Sequence, residues 1–266
     1  MTAIPRKSEI RRAFERAAPT YDSAAQVQRE AATRLFAFGQ EHVPSHTVRR
    51  VLDAGCGTGQ ALARLGSCYP GAQILALDFS AAMLTRARAC LPPTLPPALP
   101  LCADIEHLPL AKASIDLYWS NLAVQWCAPQ AVLREIHRVL APGGIAWIAT
   151  LGPRTLHELR AAFTAVDASE HVIAFISPEK WHDAAHAAGF HIRDGVRLSL
   201  RARAPDLKTL LADIKAIGAH TIGERRRMLG RQGWQKLQTR YEAFREPGGA
   251  LPATYDLLLF VLRKPA

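Results

Sequence analysis

Between residues 48 and 152 short apolar runs alternate with amphipathic ones in a strict order, and this alternation limits the fold more than any other feature. "VRRVLDAG" reads as a strand, 59–68 as a helix, "QILALD" as a strand, 80–91 as a helix, and "PLCAD" as a strand after a proline-rich loop. "SIDLYWS" then reads as a strand, 129–140 as a helix and "GIAWIATL" as a strand. Strands separated by single helices pair in parallel through crossovers that cover both faces of the sheet, so the expectation is an α/β, doubly wound parallel sheet. Beyond 152 the pattern changes to helices at 155–167 and 178–188, a strand "HIRDGVRLSL", two or three helices over 206–245 and a closing strand "TYDLLLFVL". Before the core, Ile10, Phe14 and Ala18, then Val27, Ala31 and Leu35, fall on one helical face, which predicts two helices interrupted at Pro19. The 266 residues suit one domain. Its expected parts are N-terminal helices (1–45), a core (48–152) and helical additions (153–190 and 205–248).

Composition narrows the setting. The longest unbroken apolar run near the C-terminus, "LLLFVL", is six residues, far short of the roughly 20 that span a bilayer. The basic N-terminus has no apolar h-region, and Glu9 and Glu15 disfavour a transit peptide. Five cysteines, odd in number and without a C-x-x-C pair, read as free thiols in a reducing compartment. A soluble cytoplasmic protein is expected, with no membrane partner. The 33 Lys+Arg against 23 Asp+Glu give +10, which suggests a polyanionic or acidic partner and leaves nucleic acid, acyl carrier protein and nucleotide-like substrates open.

The chemistry begins at "VLDAGCGTG", Val51 to Gly59, where a strand runs directly into Gly55, Gly57 and Gly59. Such a turn lets backbone approach a ligand with no Cβ in the way. The spacing is G-x-G-x-G, and Gln60 stands where a dinucleotide fingerprint needs a small residue, so the fit to NAD is poor. Asp78 ends the second strand, 23 residues after Gly55, where a carboxylate can accept two hydrogen bonds from a ribose diol. Asp104 ends the third strand, where a carboxylate beside a main-chain N–H suits an adenine edge, and "APGG" (141–144) is read as the turn into the fifth strand. "SNLAVQWC" (120–127) sets Asn121 and Gln125 where a hydrophobic strand is ending. Asn121 is expected to face a cleft there.

"VLDAGCGTG", "LALDFS", "ADIEHLPL", "SIDLYWSNLAVQW" and "RVLAPGG" together resemble, in order and spacing, the class I S-adenosylmethionine-dependent methyltransferases over roughly residues 48–152. That resemblance implies a Rossmann-like seven-stranded sheet in the order 3-2-1-4-5-7-6 with the last strand antiparallel. It assigns Asp53, Gly55, Gly57 and Gly59 to the methionine moiety of S-adenosyl-L-methionine, Asp78 to the ribose, and Asp104 and Ile105 to adenine. Cys56, Phe79, Ser80 and Met83, with Asn121 and Leu122 at the fourth strand's end, complete the expected cofactor site. More of the chain, through "FERAAPTYDSAAQVQRE", "TLGPRTLHELRAAF", "IKAIGAHT" and "ALPATYDLLLFVL", resembles the biotin-synthesis methyltransferases that cap the carboxylate of malonyl-[acyl-carrier protein]. Mitochondrial complex I assembly factors share part of this layout, so a cofactor-binding assembly protein, or a methyltransferase for another small acid or quinone, stands as the alternative.

The implied reaction is methyl transfer to a carboxylate oxygen of malonyl on an acyl carrier protein or on coenzyme A. Such an acid has a pKa of about 4 or below, so the nucleophile is already ionised at neutral pH and no general base is needed. Positioning and dehydration of the carboxylate carry the rate. Tyr21 from the N-terminal helices, Arg154 just past the fifth strand and His220 in "IGAHT" are the candidates to hold the substrate. Between Arg193 and Glu246 stand 13 Lys/Arg against 6 Asp/Glu, a net of +7 out of the chain's +10, a surface fit for docking an acidic carrier. No basic-aromatic interleaving of the kind that stacks bases is present, so no nucleic acid is expected. "HDAAH" sets His182 and His186 at i, i+4, but Asp183 replaces the glutamate of a zinc-protease helix and no third ligand is evident, so no metal is expected. A monomer is expected.

Overall fold

The computed structural model describes residues 6–42, 47–90, 98–167, 169, 171–217 and 230–266. Five parallel strands form first: β1 (Arg50–Ala54), β2 (Gln73–Asp78), β3 (Leu99–Cys102), β4 (Ile115–Asn121) and β5 (Leu140–Leu151). β6 (His191–Ala204) and β7 (Leu251–Arg263) complete a seven-stranded sheet in the order β3-β2-β1-β4-β5-β7-β6. β7 runs antiparallel to both of its neighbours. Order and direction are those that the methyltransferase resemblance implies.

Burial on both faces explains why the core strands read as unbroken apolar runs. β1 is buried from Val51 to Ala54, and β7 from Leu251 to Leu262. On one face lie α6 (Pro129–Val139), buried through Val132, Leu133 and Ile136, and α8 (Pro178–Ala187), buried through Trp181 and Ala184. On the other lie α3 (Gln26–Gln40), α4 (Leu62–Cys68), α5 (Ala81–Cys90), α7 (His157–Phe163), α9 (Leu207–Ala216) and α10 (Arg231–Glu242). α3 is seated by Val27, Ala31 and Leu35, four residues apart on one face, and by Phe36, whose ring lies over Trp119 with centroids 4.1 Å apart. Each large side chain so buried contributes about 1.5–3 kcal/mol. This seat fixes the N-terminal segment above the C-terminal ends of the parallel strands.

Several boundaries differ from the sequence reading. The N-terminal region forms α1 (Lys7–Ala17), a one-turn α2 (Tyr21–Ala24) and α3, rather than two helices. Pro19 separates the first two, as expected. "APGG" does not precede the fifth strand but is drawn into it, because Leu140 already pairs with Ile115. The register then shifts before Leu117 meets Ile145, with Gly143 at φ +75°, so the extra residues form a bulge. β6 and β7 outrun their expected lengths because they pair with each other from His191 opposite Arg263 to Ala204 opposite Leu251. Among the described residues no helix is long and apolar enough to cross a membrane.

Candidate active site

The C-terminal ends of β1, β2 and β4 meet at the crevice where open α/β sheets hold ligands. A cleft of about 590 Å³ opens there. After β1 the glycine turn folds back on β2, with the N–H groups of Gly55 and Cys56 both donating to the Leu77 carbonyl at 2.7 and 2.9 Å. Gly57 and Gly59 both need positive φ, +54° and +85°, yet for different ends. A Cβ at Gly59 would lie 2.9 Å from Cα of Ala87, so this glycine lets α5 pack closely. A Cβ at Gly57 would meet no protein atom within 4 Å, and this residue lines the cleft.

Two buried carboxylates stand at the base, Asp78 lining the cleft and Asp53 buried beside it. Asp78 accepts from the Gly57 N–H at 3.0 Å and from the Ser80 N–H at 2.8 Å. Burial pushes its pKa up to about 6, although the N–H groups of Ser80, Gly57 and Phe79 pull the other way. Asp53, 2% exposed, is pushed up to about 8, first by burial and then by the charge of Asp78. Its Oδ2 has no hydrogen-bond partner among the described residues. A floor of this kind attracts a cationic ligand, because two desolvated carboxylates gain most from a positive charge set against them. The Gly57 opening, the orphaned Asp53 oxygen and Asp78 at the end of β2 fit a nucleoside bearing a sulfonium and an amino acid end, which is S-adenosylmethionine.

A helical lid covers the cleft. Phe14 of α1 packs against Phe79, Trp126 and Tyr21, with ring centroids 6.1, 5.9 and 6.5 Å apart. Lys7 Nζ lies 2.6 Å from Asp104 Oδ1 and 2.7 Å from Glu106 Oε2. At the other end Asp22 Oδ1 accepts from Thr58 Oγ1 at 2.6 Å and from Gln60 Nε2 at 2.8 Å. The lid is thus tied to the segment after β3 through α1 and to the glycine turn through α2.

The end of β4 answers for the polar residues in "SNLAVQWC". Asn121 lines the cleft, donates Nδ2 to the Gln28 carbonyl at 3.0 Å, and keeps a buried Oδ1 with no partner among the described residues. Leu122 takes φ +52°, turning the chain into the short 3-10 turn Val124–Trp126. Trp119 and Val124 are fully buried core residues. Trp126 lines both the cleft and a second chamber of about 1370 Å³, as do Phe14, Tyr21 and Leu122. These four residues form the partition between the two spaces.

Nine of the thirteen expected cofactor residues line the cleft: Gly55, Gly57, Asp78, Phe79, Met83, Asp104, Ile105, Asn121 and Leu122. The other four are not among its lining residues. Asp53 and Ser80 are buried beside Asp78, Gly59 packs on α5, and the Cys56 thiol is buried with its pKa pushed well up. Tyr21 stands at the partition. Arg154 lines neither space: its side chain is 65% exposed, and its guanidinium lies 3.6 Å from Asp256 Oδ1. Asp256, 1% exposed, receives Arg197 through two bonds of 2.7 Å and the Arg154 N–H at 3.0 Å, which turns the start of the 153–156 segment toward β7. His220 lies outside the described residues. Sequence reading missed Lys7 and Asp22, and gave Phe14 and Gln28 no role. Only the crowding of Phe14, Tyr21 and Gln28 in one resembling motif pointed toward them.

The family model described as a methyltransferase domain matches residues 52–148, from β1 into β5. The YcgJ protein of Bacillus subtilis shares the fold with a TM-score of 0.63 at 17% identity, over 88% of this chain and 99% of that one. So does geranyl diphosphate C-methyltransferase of Streptomyces coelicolor, solved with S-adenosyl-L-homocysteine, with a TM-score of 0.53 at 16% identity, over 90% and 81%. Fold and cleft define an S-adenosylmethionine-dependent methyltransferase.

Among relatives, the malonyl-[acyl-carrier protein] O-methyltransferase of Dechloromonas aromatica is 46% identical over 262 residues, 98% of this chain and 95% of the relative. That of Laribacter hongkongensis is 43% identical over 98% and 90%. The biotin biosynthesis bifunctional protein BioHC of Cellvibrio japonicus is 39% identical over 99% of this chain, which spans 51% of that longer protein. The chain belongs to the malonyl-[acyl-carrier protein] O-methyltransferase family.

Proposed function

We propose that this protein methylates the free carboxylate of a malonyl thioester carried by an acidic acyl carrier protein, or by coenzyme A, as an early step of biotin synthesis. The observation that carries the reading is the partition of Phe14, Tyr21, Leu122 and Trp126, where a carboxylate-floored cleft meets a larger apolar chamber. Asp78, Asp104, Ile105 and the glycine turn would hold S-adenosylmethionine. When bound, it supplies a methyl group on a positively charged sulfur, which leaves as a neutral thioether as the oxygen–carbon bond forms, so no proton changes hands.

The chain's own residues then have three tasks. Tyr21 remains a neutral phenol, because burial and then the charges of Asp78 and Asp22 raise its pKa, and so it can donate to an ionised acceptor. Leu122 and the aromatic faces of Phe14 and Trp126 exclude water from that carboxylate, which raises its nucleophilicity. A neutral donor orients the oxygen without withdrawing the electron density that a guanidinium would take. Arg154 and His220 stand as further proposed contacts to the carrier-borne substrate.

The five cysteines are free, and Leu99 is the one large hydrophobic side chain exposed among the described residues. Both support a cytoplasmic monomer.

Purified protein incubated with methyl-labelled cofactor and malonyl-carrier or malonyl-coenzyme A is expected to yield a base-labile methyl ester. Tyr21→Phe is expected to lower kcat/KM about 10- to 100-fold, the loss of one hydrogen bond to a charged group. Normal cofactor binding with no ester formed from either thioester would refute the proposal.

A further inference from the structure

The second chamber is far larger than the group it is proposed to serve. At about 1370 Å³, the space open to solvent at its mouth included, it is more than twice the cleft's about 590 Å³, whereas a malonyl group has only a handful of heavy atoms. Its walls are mostly aliphatic and aromatic, from α7, the 171–175 segment and α9. Among its polar side chains Thr155 already accepts from the Asp256 N–H, and His171 is paired with Asp167 and stacked on Phe163.

Two others are unsatisfied. Gln28 Oε1 and Gln125 Oε1 are buried and find no hydrogen-bond partner among the described residues. Gln125 spends its amide nitrogen on the Leu122 carbonyl at 2.6 Å, which leaves its oxygen as the free group. A buried amide oxygen left bare costs about 1–3 kcal/mol, so two in one chamber ask for a ligand that brings N–H donors. Lys215, exposed among the lining residues, forms no ion pair among the described residues.

Resting on the proposed malonyl thioester activity, we infer that this chamber binds the pantetheine arm of the thioester, and that Gln28 and Gln125 accept hydrogen bonds from the arm's two amide N–H groups. The arm is linear, carries a gem-dimethyl group for the apolar walls, and ends in a phosphate that Lys215 meets at the mouth. Gln28 and Gln125 line the same chamber as Tyr21, which puts the acyl end next to the partition. Specificity for carrier-borne over free malonate follows, because a small acid leaves both glutamine oxygens bare.

Calorimetric titration with 4′-phosphopantetheine itself, carrying no malonyl group, tests the site independently of turnover. Binding by the wild type is expected, with Kd raised at least tenfold in Gln28→Leu and in Gln125→Leu. Leu159→Trp, which fills the chamber from α7, is expected to abolish binding, and S-adenosylmethionine affinity is to stay within twofold in all three. Kinetics supply a second reading. Gln28→Leu, which leaves the Gln125–Leu122 bond in place, is expected to lose kcat/KM for malonyl-pantetheine at least tenfold but to match the wild type with an S-ethyl malonyl thioester, which has no amide. Equal losses on both thioesters, or no binding of the arm by a protein that methylates malonyl-carrier, overturn the inference while the proposed activity stands. Arm binding that the variants weaken, in a protein that forms no malonyl methyl ester, upholds the site and refutes the activity instead.

Discussion

Asp78 at the floor of the cleft and Asp53 buried beside it are held there at a cost to the fold. Unfolded, both have the ordinary carboxylate pKa of 3.8; folded, burial raises them to about 8 and about 6. Between pH 4 and 8 the folded chain therefore binds more protons at these two groups than the unfolded chain, and stability must fall as pH rises. Their stabilising contribution is fully present below about pH 4, and is lost as pH passes 6 for Asp78 and 8 for Asp53. A cationic ligand reverses this, since it favours both ionised forms. The cofactor-free protein is thus expected to show a Tm that declines from pH 5 to 8.5, with Asp53→Asn flattening the upper half of the decline. At pH 8.5 Asp53→Asn is expected to raise Tm by a few degrees, at about 2–4 °C per kcal/mol for a chain of this size. The rise in Tm given by S-adenosylmethionine is expected to be larger at pH 8 than at pH 5 in the wild type, and smaller in the variant. Thermal melts across pH, with and without cofactor, measure all three, and a pH-independent difference between wild type and Asp53→Asn would contradict the account.

The lid shows at the scale of elements what a sequence conceals. The core strands were legible because apolar runs ending in Gly or Asp record two local facts, burial on both faces and a turn at the rim. From Val51 to Asp104 those facts single out Gly55, Gly57, Asp78 and Asp104, all of which line the cleft. What holds α1 and α2 over the cleft is of another kind: Lys7 reaches Asp104 across 97 positions, and Asp22 reaches Thr58 across 36. Neither pairing leaves a periodic trace, so Lys7 read as one more basic residue of a charged N-terminus. The same holds for Arg154, whose orientation is decided by Asp256, 102 positions away. Lys7 makes two short contacts with partners whose side chains are 31% and 12% exposed, worth roughly 1 kcal/mol at such a site. Lys7→Met is therefore expected to speed cofactor release about 3- to 10-fold in stopped-flow experiments. Since α2 keeps its own tie to the glycine turn, Tm is expected to change little. An unchanged release rate would show that the aromatic contacts of Phe14 alone hold the lid.

At the scale of the whole molecule the proposed substrate would be recognised by packing and by charge in different places. The chamber is apolar inside, whereas β6, α9 and α10 carry nine Lys/Arg against three Asp/Glu, and α9 lines the chamber. Not all of that charge is available to a partner. Arg197 is held by Asp256, and Arg201 and Arg203 share Glu246. Lys208 and Lys215 on α9 form no ion pair among the described residues, and they stand on the helix whose Leu211 and Ile214 line the chamber. Docking of an acidic carrier would then be steered by the field of α9, while the arm would be held by contacts that salt does not screen. The Debye length shortens from about 10 Å at 0.1 M to about 3 Å at 1 M, which removes steering but spares a buried hydrogen bond. KM for malonyl-carrier is therefore expected to rise about tenfold or more from 0.05 to 0.5 M salt at constant kcat, with KM for malonyl-pantetheine nearly flat over the same range. Lys208→Glu is expected to raise the first KM at low salt and leave the second unchanged. A parallel salt response of the two substrates would place the charge effect inside the chamber instead, and would remove α9 as the docking helix.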